Sequence, residues 1–102
     1  MNEKETRHWV ATVFKPAMKK ILPGCIILVD THSKIIYKPE ITVLYKDKYA
    51  MFEVIRRVKP THTQIKKMFA YNKWGEALAM FVKPETFEIQ LNDIWLHFLD
   101  RK

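Results

Sequence analysis

The sequence predicts an α+β fold in which two tandem β-α-β-β repeats pack about a pseudo-twofold axis and form a mainly antiparallel sheet. Three observations predict it: β-branched and aromatic runs alternate with amphipathic stretches, lysine–proline pairs recur at a nearly constant interval, and 48% of the residues are hydrophobic. The 102 residues suit one domain over 1–102. We expect repeat 1 over about 7–46, repeat 2 over about 49–91 and a C-terminal segment over 93–102.

The predicted duplication rests on motifs that return in the same order. The Lys-Pro pair at 15–16 returns 44 residues later at 59–60, and Lys-Pro-Glu at 38–40 returns 45 residues later at 83–85. Units of about 45 residues lie near the lower size limit for independent folding, so the two copies are expected to share one core. The seam between them would form a concavity of the kind in which ligands commonly bind.

Repeat 1 is predicted to begin with an uncharged strand at residues 8–14, which are rich in β-branched and aromatic side chains. Its helix follows Pro16, because a first helical turn tolerates the proline ring, and it ends before Pro23 and Gly24. Residues 25–29 are apolar on both faces, as in a central strand that is covered on both sides. Two further strands are expected at 35–37 and 41–45.

Repeat 2 is predicted to follow the same plan, with a first strand at residues 49–58. Thr61 and Gln64 have the spacing of a capping box at the start of its helix. Two strands at 77–82 and 87–91 complete the copy. For the C-terminal segment the repeat register predicts a strand, but Asp93 is also a suitable helix N-cap, and we favour the helix.

The composition excludes several classes of protein. The 18 basic and 11 acidic residues give a formal net charge of +7, and the longest aliphatic run, 26–29, is far shorter than the roughly 20 apolar residues that span a membrane. The charged stretch at 1–5 does not have the pattern of a secretory signal. The single cysteine, Cys25, fits a reducing compartment. We therefore expect an intracellular protein that does not enter a membrane.

No sequence motif indicates a chemical reaction. Cys25 lies in an apolar run without a basic neighbour, which is typical of an inert buried thiol. The four histidines are far apart in sequence and form no Cys-x-x-Cys or His-x-x-x-His pattern. The predicted element order resembles that of the vicinal oxygen chelate superfamily, which places a metal between paired repeats, but the ligand pattern of that superfamily has no counterpart here. We predict no catalytic residue, no metal and no cofactor.

The leading functional prediction is a non-enzymatic protein that binds a protein or peptide segment. The uncharged strand at 8–14 offers an edge to which an extended peptide can add, with its side chains in apolar pockets. The groove between the repeats would supply the aromatic contacts. The predicted groove residues are Phe14, Tyr37, Tyr45, Phe52 and Trp74.

The alternative prediction is a nucleic-acid-binding protein. No acidic residue lies between Glu53 and Glu76, so the strand and helix of repeat 2 carry only positive charge. Tyr71 and Trp74 could stack on bases beside these cations. The predicted basic patch consists of Arg56, Arg57, Lys59, Lys66, Lys67 and Lys73.

A lysine-rich chain that is poor in asparagine and glutamine resembles the small proteins of filamentous viruses that infect hot-spring archaea. This resemblance covers the whole chain and is carried by composition alone. The resemblance implies that the protein acts in the cytoplasm of a thermophilic host. It assigns no functional role to any residue of this chain.

Overall fold

The computed structural model describes residues 1–30, 38–73 and 77–99, and it shows an α+β fold with helices on both faces of a mixed sheet. The four strands are adjacent in chain order: β1 (Ile26–Val29), β2 (Ile41–Tyr45), β3 (Lys48–Val54) and β4 (Leu78–Val82). The first three strands form an antiparallel meander. Strand β4 is parallel to β3, because helix α3 (His62–Asn72) returns the chain across the sheet between them.

An N-terminal helical arm comprises α1 (Glu3–Trp9), a π-helical turn (Val10–Phe14) and α2 (Lys15–Ile21). A capping box starts the arm: the Asn2 side chain accepts a hydrogen bond from the Glu5 N–H, and the Glu5 carboxylate accepts one from the Asn2 N–H, both at 2.8 Å. The widened turn directly precedes Pro16, which has no N–H to donate to the turn before it.

The sheet has two faces with different cores. The core face carries Phe52 of β3, and it is covered by the helical arm and by α4 (Phe87–Leu99). Rings dominate this side: the Phe14 ring lies 5.4 Å from Phe52 and 5.3 Å from Phe87, measured between centroids. The opposite face, called the α3 face here, packs α3 against β3 and β4 through Met51, Met68 and their neighbours.

Two predicted strands are helical, so those predictions are wrong. Residues 8–14 belong to the helical arm, and residues 87–91 open α4 after a short 3-10 turn (Pro84–Thr86). Both segments carry a helical apolar period that outweighs their β-propensity. In the arm this period is the four-residue spacing of Val10, Phe14, Met18 and Leu22, all of which are buried.

Among the described strands, β1 lies at one edge of the sheet. Two further predictions, for β1 and for Asp93, are corrected by the structure. Residues 25–29 do not form a central strand covered on both sides, because Ile26 and Leu28 are exposed on the α3 face, which α3 covers only above β3 and β4. Asp93 does not cap a helix, because α4 has already begun at Phe87. The preference for a C-terminal helix is confirmed up to Leu99.

The tandem β-α-β-β repeat and its pseudo-twofold axis are not confirmed. Repeat 1 would have to begin with a helix where repeat 2 begins with strand β3. The strand predicted at 35–37 lies outside the described residues. In contrast, the structure confirms the capping box at α3: the Thr61 hydroxyl accepts from the Gln64 N–H and the Gln64 amide oxygen accepts from the Thr61 N–H, each at 3.1 Å.

Candidate functional site

The three predicted groove residues that the structure describes, Phe14, Tyr45 and Phe52, do not line an open groove. Phe14 and Phe52 are 0% exposed and contact each other in the core, so neither ring is available to a partner. Tyr45 is half-buried, with its ring edge-on to Phe98 at a centroid distance of 6.1 Å. Tyr37 and Trp74 lie outside the described residues. The uncharged edge at 8–14 is absent as well, because that segment is helical.

The predicted basic patch divides into three groups. Arg57 and Lys59 are exposed in the connection between β3 and α3. Lys66 and Lys73 are exposed on α3 and at its C-cap. Arg56 and Lys67 instead point inward, where they meet carboxylates, and Lys67 is only 2% exposed.

The outward side of α3 carries a row of side chains that we call the basic stripe: His62, Lys66, Phe69 and Lys73. Their spacing of four, three and four residues places them on one side of the helix. All four are exposed, and Phe69 retains 68% of its accessible surface. The chain has no acidic residue from Val54 to Lys73, so no carboxylate of this segment neutralises the stripe.

The inward side of α3 closes over a buried polar cluster, which consists of Glu40, Glu53, Arg56, Gln64, Lys67 and Tyr71. Glu40 precedes β2 and Glu53 lies near the end of β3, and the antiparallel pairing of these strands brings both carboxylates to one end of the sheet. Gln64, Lys67 and Tyr71 reach the cluster from α3 because they are three and four residues apart.

The Glu40 carboxylate is held by donors on two sides. Its Oε1 accepts hydrogen bonds from the Val54 N–H at 2.8 Å and from Gln64 Nε2 at 3.3 Å. Its Oε2 accepts from Arg56 Nη2, and Gln64 Nε2 also donates to the Val54 carbonyl at 2.6 Å. Glu40 therefore fixes the start of β2 to the end of β3 and to the first turn of α3.

Glu53 and Lys67 form an ion pair that is closed to solvent. Glu53 Oε2 accepts from the Glu40 N–H at 2.8 Å and from the Tyr71 hydroxyl at 3.5 Å. Glu53 Oε1 lies 3.6 Å from Lys67 Nζ, and among the described residues no hydrogen-bond donor reaches this oxygen. A buried charge with one unsatisfied oxygen is costly, and such groups concentrate at functional sites.

Burial raises the pKa of Glu53 to about 7, and the nearby Glu40 charge acts in the same direction. The Glu40 N–H and Lys67 oppose this shift but do not cancel it. Burial also raises the pKa of the Tyr71 hydroxyl, with a further contribution from the Glu53 charge. Near neutral pH the cluster thus holds one carboxyl group that can gain or lose a proton.

The cysteine and the possible metal ligands that the sequence analysis considered do not form a second site in the described residues. Burial raises the pKa of the Cys25 thiol, as expected for an unreactive cysteine. Within residues 1–30, 38–73 and 77–99, no group of three or more histidine, cysteine, aspartate or glutamate side chains could hold a metal ion. In the same residues, no helix is long and apolar enough to cross a membrane.

The sequence-based predictions do not include the buried polar cluster, although two features of the sequence indicate it. Glu53 interrupts an otherwise apolar run in β3, and Lys67 faces the apolar side of α3 instead of its charged side. The basic-patch prediction includes Lys67 as a surface cation, and Glu53 marks only the boundary of the acid-free stretch. A charged residue at the buried position of a strand, opposite a lysine at the buried position of a helix, is the pattern of an internal ion pair.

No known protein family, no curated protein and no solved structure matches this chain. The resemblance in composition to proteins of archaeal filamentous viruses therefore stays a prediction.

Replacing Glu53 by glutamine is expected to flatten the pH dependence of stability. The folded protein keeps the Glu53 proton up to about pH 7, whereas the unfolded chain releases it near pH 4.5, so the folded state binds more protons between these values. Wild-type stability should fall with rising pH in this window, by up to about 1.4 kcal/mol per pH unit from this group. Urea denaturation from pH 4 to pH 8 measures the difference between wild type and Glu53→Gln. The exposed Glu85→Gln serves as control, and identical profiles for wild type and Glu53→Gln would contradict the expectation.

Replacing Lys67 by methionine should destabilise the fold at pH 8, where Glu53 is ionised and would remain buried without its cation. The expected loss is about 3 kcal/mol or more, and it should shrink at pH 5, where Glu53 is protonated. Lys66→Met is the matched control, because the neighbouring lysine is exposed and should change stability by no more than about 0.5 kcal/mol. Equal losses for the two lysines in denaturant titrations would show that the pair does not stabilise the fold.

Proposed function

We propose that this protein binds nucleic acid through the basic stripe of α3. The observation that carries the proposal is Phe69, which is largely exposed between Lys66 and Lys73 on a helix face without acidic side chains. An exposed ring flanked by ammonium groups is the combination that binds bases and phosphates together.

The spacing of the stripe suits a nucleic acid backbone. Lys66 and Lys73 are seven residues apart, which corresponds to about 10 Å along the helix axis. At this separation the two ammonium groups can contact different phosphates of one strand. Phe69 lies between them, where a base of an unpaired strand can stack on its ring.

Further positive charge lies at the N-terminal end of α3. Arg57 and Lys59 are exposed in the connection that leads into the helix, next to His62 at the first helical position. Together with the basic stripe they extend the cationic surface beyond the helix, which favours binding along a strand. Because Phe69 offers a ring face and no base-edge donor, we expect a preference for single strands with little sequence discrimination.

The peptide-binding prediction has weaker support. Two of its five contact residues, Phe14 and Phe52, are fully buried, and its edge strand is a helix. Strand β1 is an apolar edge strand among the described residues, but none of the predicted groove residues that the structure describes belongs to it. Nucleic-acid binding requires only side chains that are already exposed.

Reversing the two lysines of the stripe, as Lys66→Glu with Lys73→Glu, is expected to weaken binding of a single-stranded oligonucleotide at least tenfold at low salt. Losing two phosphate contacts should also reduce the slope of log affinity against log salt by about 1.4. Phe69→Ala should weaken binding by about 1–3 kcal/mol through lost stacking and leave the salt slope nearly unchanged. Fluorescence anisotropy over a series of salt concentrations separates the two effects.

The matched control is Lys19→Glu with Lys20→Glu, which reverses two exposed lysines on α2. If this control variant weakens oligonucleotide binding as much as the stripe variant does, binding depends on the net charge of the protein and not on the basic stripe. Failure of the wild-type protein to bind DNA or RNA even at low salt would remove the proposal.

A second candidate function is favoured by the buried polar cluster. Glu40 and Glu53 bring two carboxylates together beside Lys67, on the helix that also carries the basic stripe. Mg²⁺ is commonly bound by one or two carboxylates, with waters and substrate phosphates completing its shell. Such an ion would activate water for cleavage of a phosphodiester bond, in which the water oxygen bonds to phosphorus and the leaving oxygen takes up a proton.

This second function requires rearrangement, because the two carboxylates are buried beneath α3 and the basic stripe lies on the opposite side of that helix. Glu40 now accepts from Arg56, the most exposed member of the cluster, and this contact must give way before a cation reaches the carboxylates. Glu53 Oε1 lies 3.6 Å from the Lys67 ammonium group, so this ion pair must also open before a cation can bind there.

Cleavage is tested by incubating the protein with supercoiled plasmid and with single-stranded DNA in Mg²⁺ or Mn²⁺. If the cluster is catalytic, Glu40→Gln and Glu53→Gln should each abolish cleavage while oligonucleotide binding persists, because neither residue belongs to the stripe. Glu85→Gln is the matched control, since Glu85 is the exposed glutamate of the other Lys-Pro-Glu sequence. Absence of cleavage by the wild-type protein with either cation, or undiminished cleavage by Glu53→Gln, would exclude this function.

A further inference from the structure

The outward side of α4 is an exposed apolar surface with negative charge, which we call the acidic face: Glu88, Ile89, Asp93 and Leu96. Ile89 and Leu96 are 75% and 53% exposed, and their spacing of seven residues places them on the same side of the helix. Glu88 and Asp93 are exposed beside them. The buried side of α4 is formed by other residues, Phe87, Ile94 and Phe98.

The acidic face and the basic stripe are complementary in charge and in apolar content. Residues 84–99 contain no lysine or arginine, and residues 54–73 contain no aspartate or glutamate. On the basic stripe, Phe69 and the neighbouring Ile65 are the exposed apolar groups, and Lys66 and Lys73 are the cations. Both surfaces place exposed groups seven residues apart, so each extends over about 10 Å of helix.

We propose that the occupant of the acidic face is the basic stripe of a second copy of this chain. Ile89 and Leu96 of one copy would lie against Phe69 and Ile65 of the next. Around this apolar contact, the carboxylates of Glu88 and Asp93 would meet the ammonium groups of Lys66 and Lys73. Two acidic faces cannot associate with each other in this way, because like charges would oppose one another.

The position of the two helices determines the form of the assembly. Helix α3 covers one face of the sheet and α4 covers the other, so the two surfaces point away from each other. A contact between different surfaces is heterologous, and it leaves an unused stripe at one end and an unused acidic face at the other. Copies can therefore add head to tail into an open chain.

This association and nucleic-acid binding use the same stripe and exclude each other. A single contact between two helices is small compared with a standard interface, so the association should be weak and dependent on concentration. A strand of nucleic acid should dissociate it by occupying the stripe. The proposal does not require nucleic-acid binding, because the acidic face is separate from the stripe.

Sedimentation velocity over increasing protein concentration at low salt tests the association. The weight-average mass of the wild type should rise with concentration and should return to that of a monomer in about 0.5 M salt, where exposed charges are screened. Two double variants, each with reversed charges on one of the two surfaces, make the test specific. Lys66→Glu with Lys73→Glu, and separately Glu88→Lys with Asp93→Lys, should each remain monomeric at every concentration.

Mixing the two reversed variants should restore association, because the acidic face of the first then meets the basic stripe of the second. Lys19→Glu with Lys20→Glu should associate like the wild type. A wild type that stays monomeric, reversed variants that still associate, or a mixture that remains monomeric would each overturn the proposal. Circular dichroism confirms that the variants are folded. Glu88→Lys with Asp93→Lys should still bind oligonucleotide, so failure of the association is distinguishable from failure of nucleic-acid binding.

Discussion

The rotation of α3 about its own axis is the constraint on which the surface of this protein depends, and the ion pair between Glu53 and Lys67 contributes to fixing it. Because Lys67 faces β3, its neighbour Lys66 must face solvent, and Phe69 and Lys73 follow on the same side. Gln64 and Tyr71 hold the same orientation through Glu40 and Glu53. The orientation of α3 therefore determines both the buried polar cluster on its inward side and the basic stripe on its outward side.

The elements that short-range sequence patterns specify were predicted correctly. The capping box at Thr61, the strand that became β3 and the C-terminal helix are present in the structure. Prediction failed at residues 8–14, where β-branched side chains favour a strand but burial of Val10 and Phe14 against the sheet favours a helix. The four-residue spacing of Val10, Phe14, Met18 and Leu22 is visible in the sequence, but only the structure shows that this side is the buried one.

In the candidate site, the charges along one helix could be predicted from the sequence, but the contacts between different elements could not. Lys66 and Lys73 were recognisable as parts of a basic segment, because charge along a helix is visible in the sequence. The partner of Lys67 was not, since Glu53 lies in a different element and meets the lysine only after α3 crosses the sheet. A charge count treats Lys66 and Lys67 alike, whereas in the structure one faces solvent and the other is almost completely buried.

The arrangement of strands has a consequence for the order in which the protein acquires its structure. Strands β2 and β3 are joined by a two-residue turn in which Lys46 adopts a positive φ of 57°, so their hairpin closes over a very short loop. Strand β4 can pair with β3 only after a crossover that includes the whole of α3. Hairpins form within microseconds, whereas parallel pairing must first overcome the entropy of a longer loop. We expect the meander to form early and β4 with α3 to dock later, so an early folding intermediate would expose Glu53 to water before Lys67 arrives to pair with it.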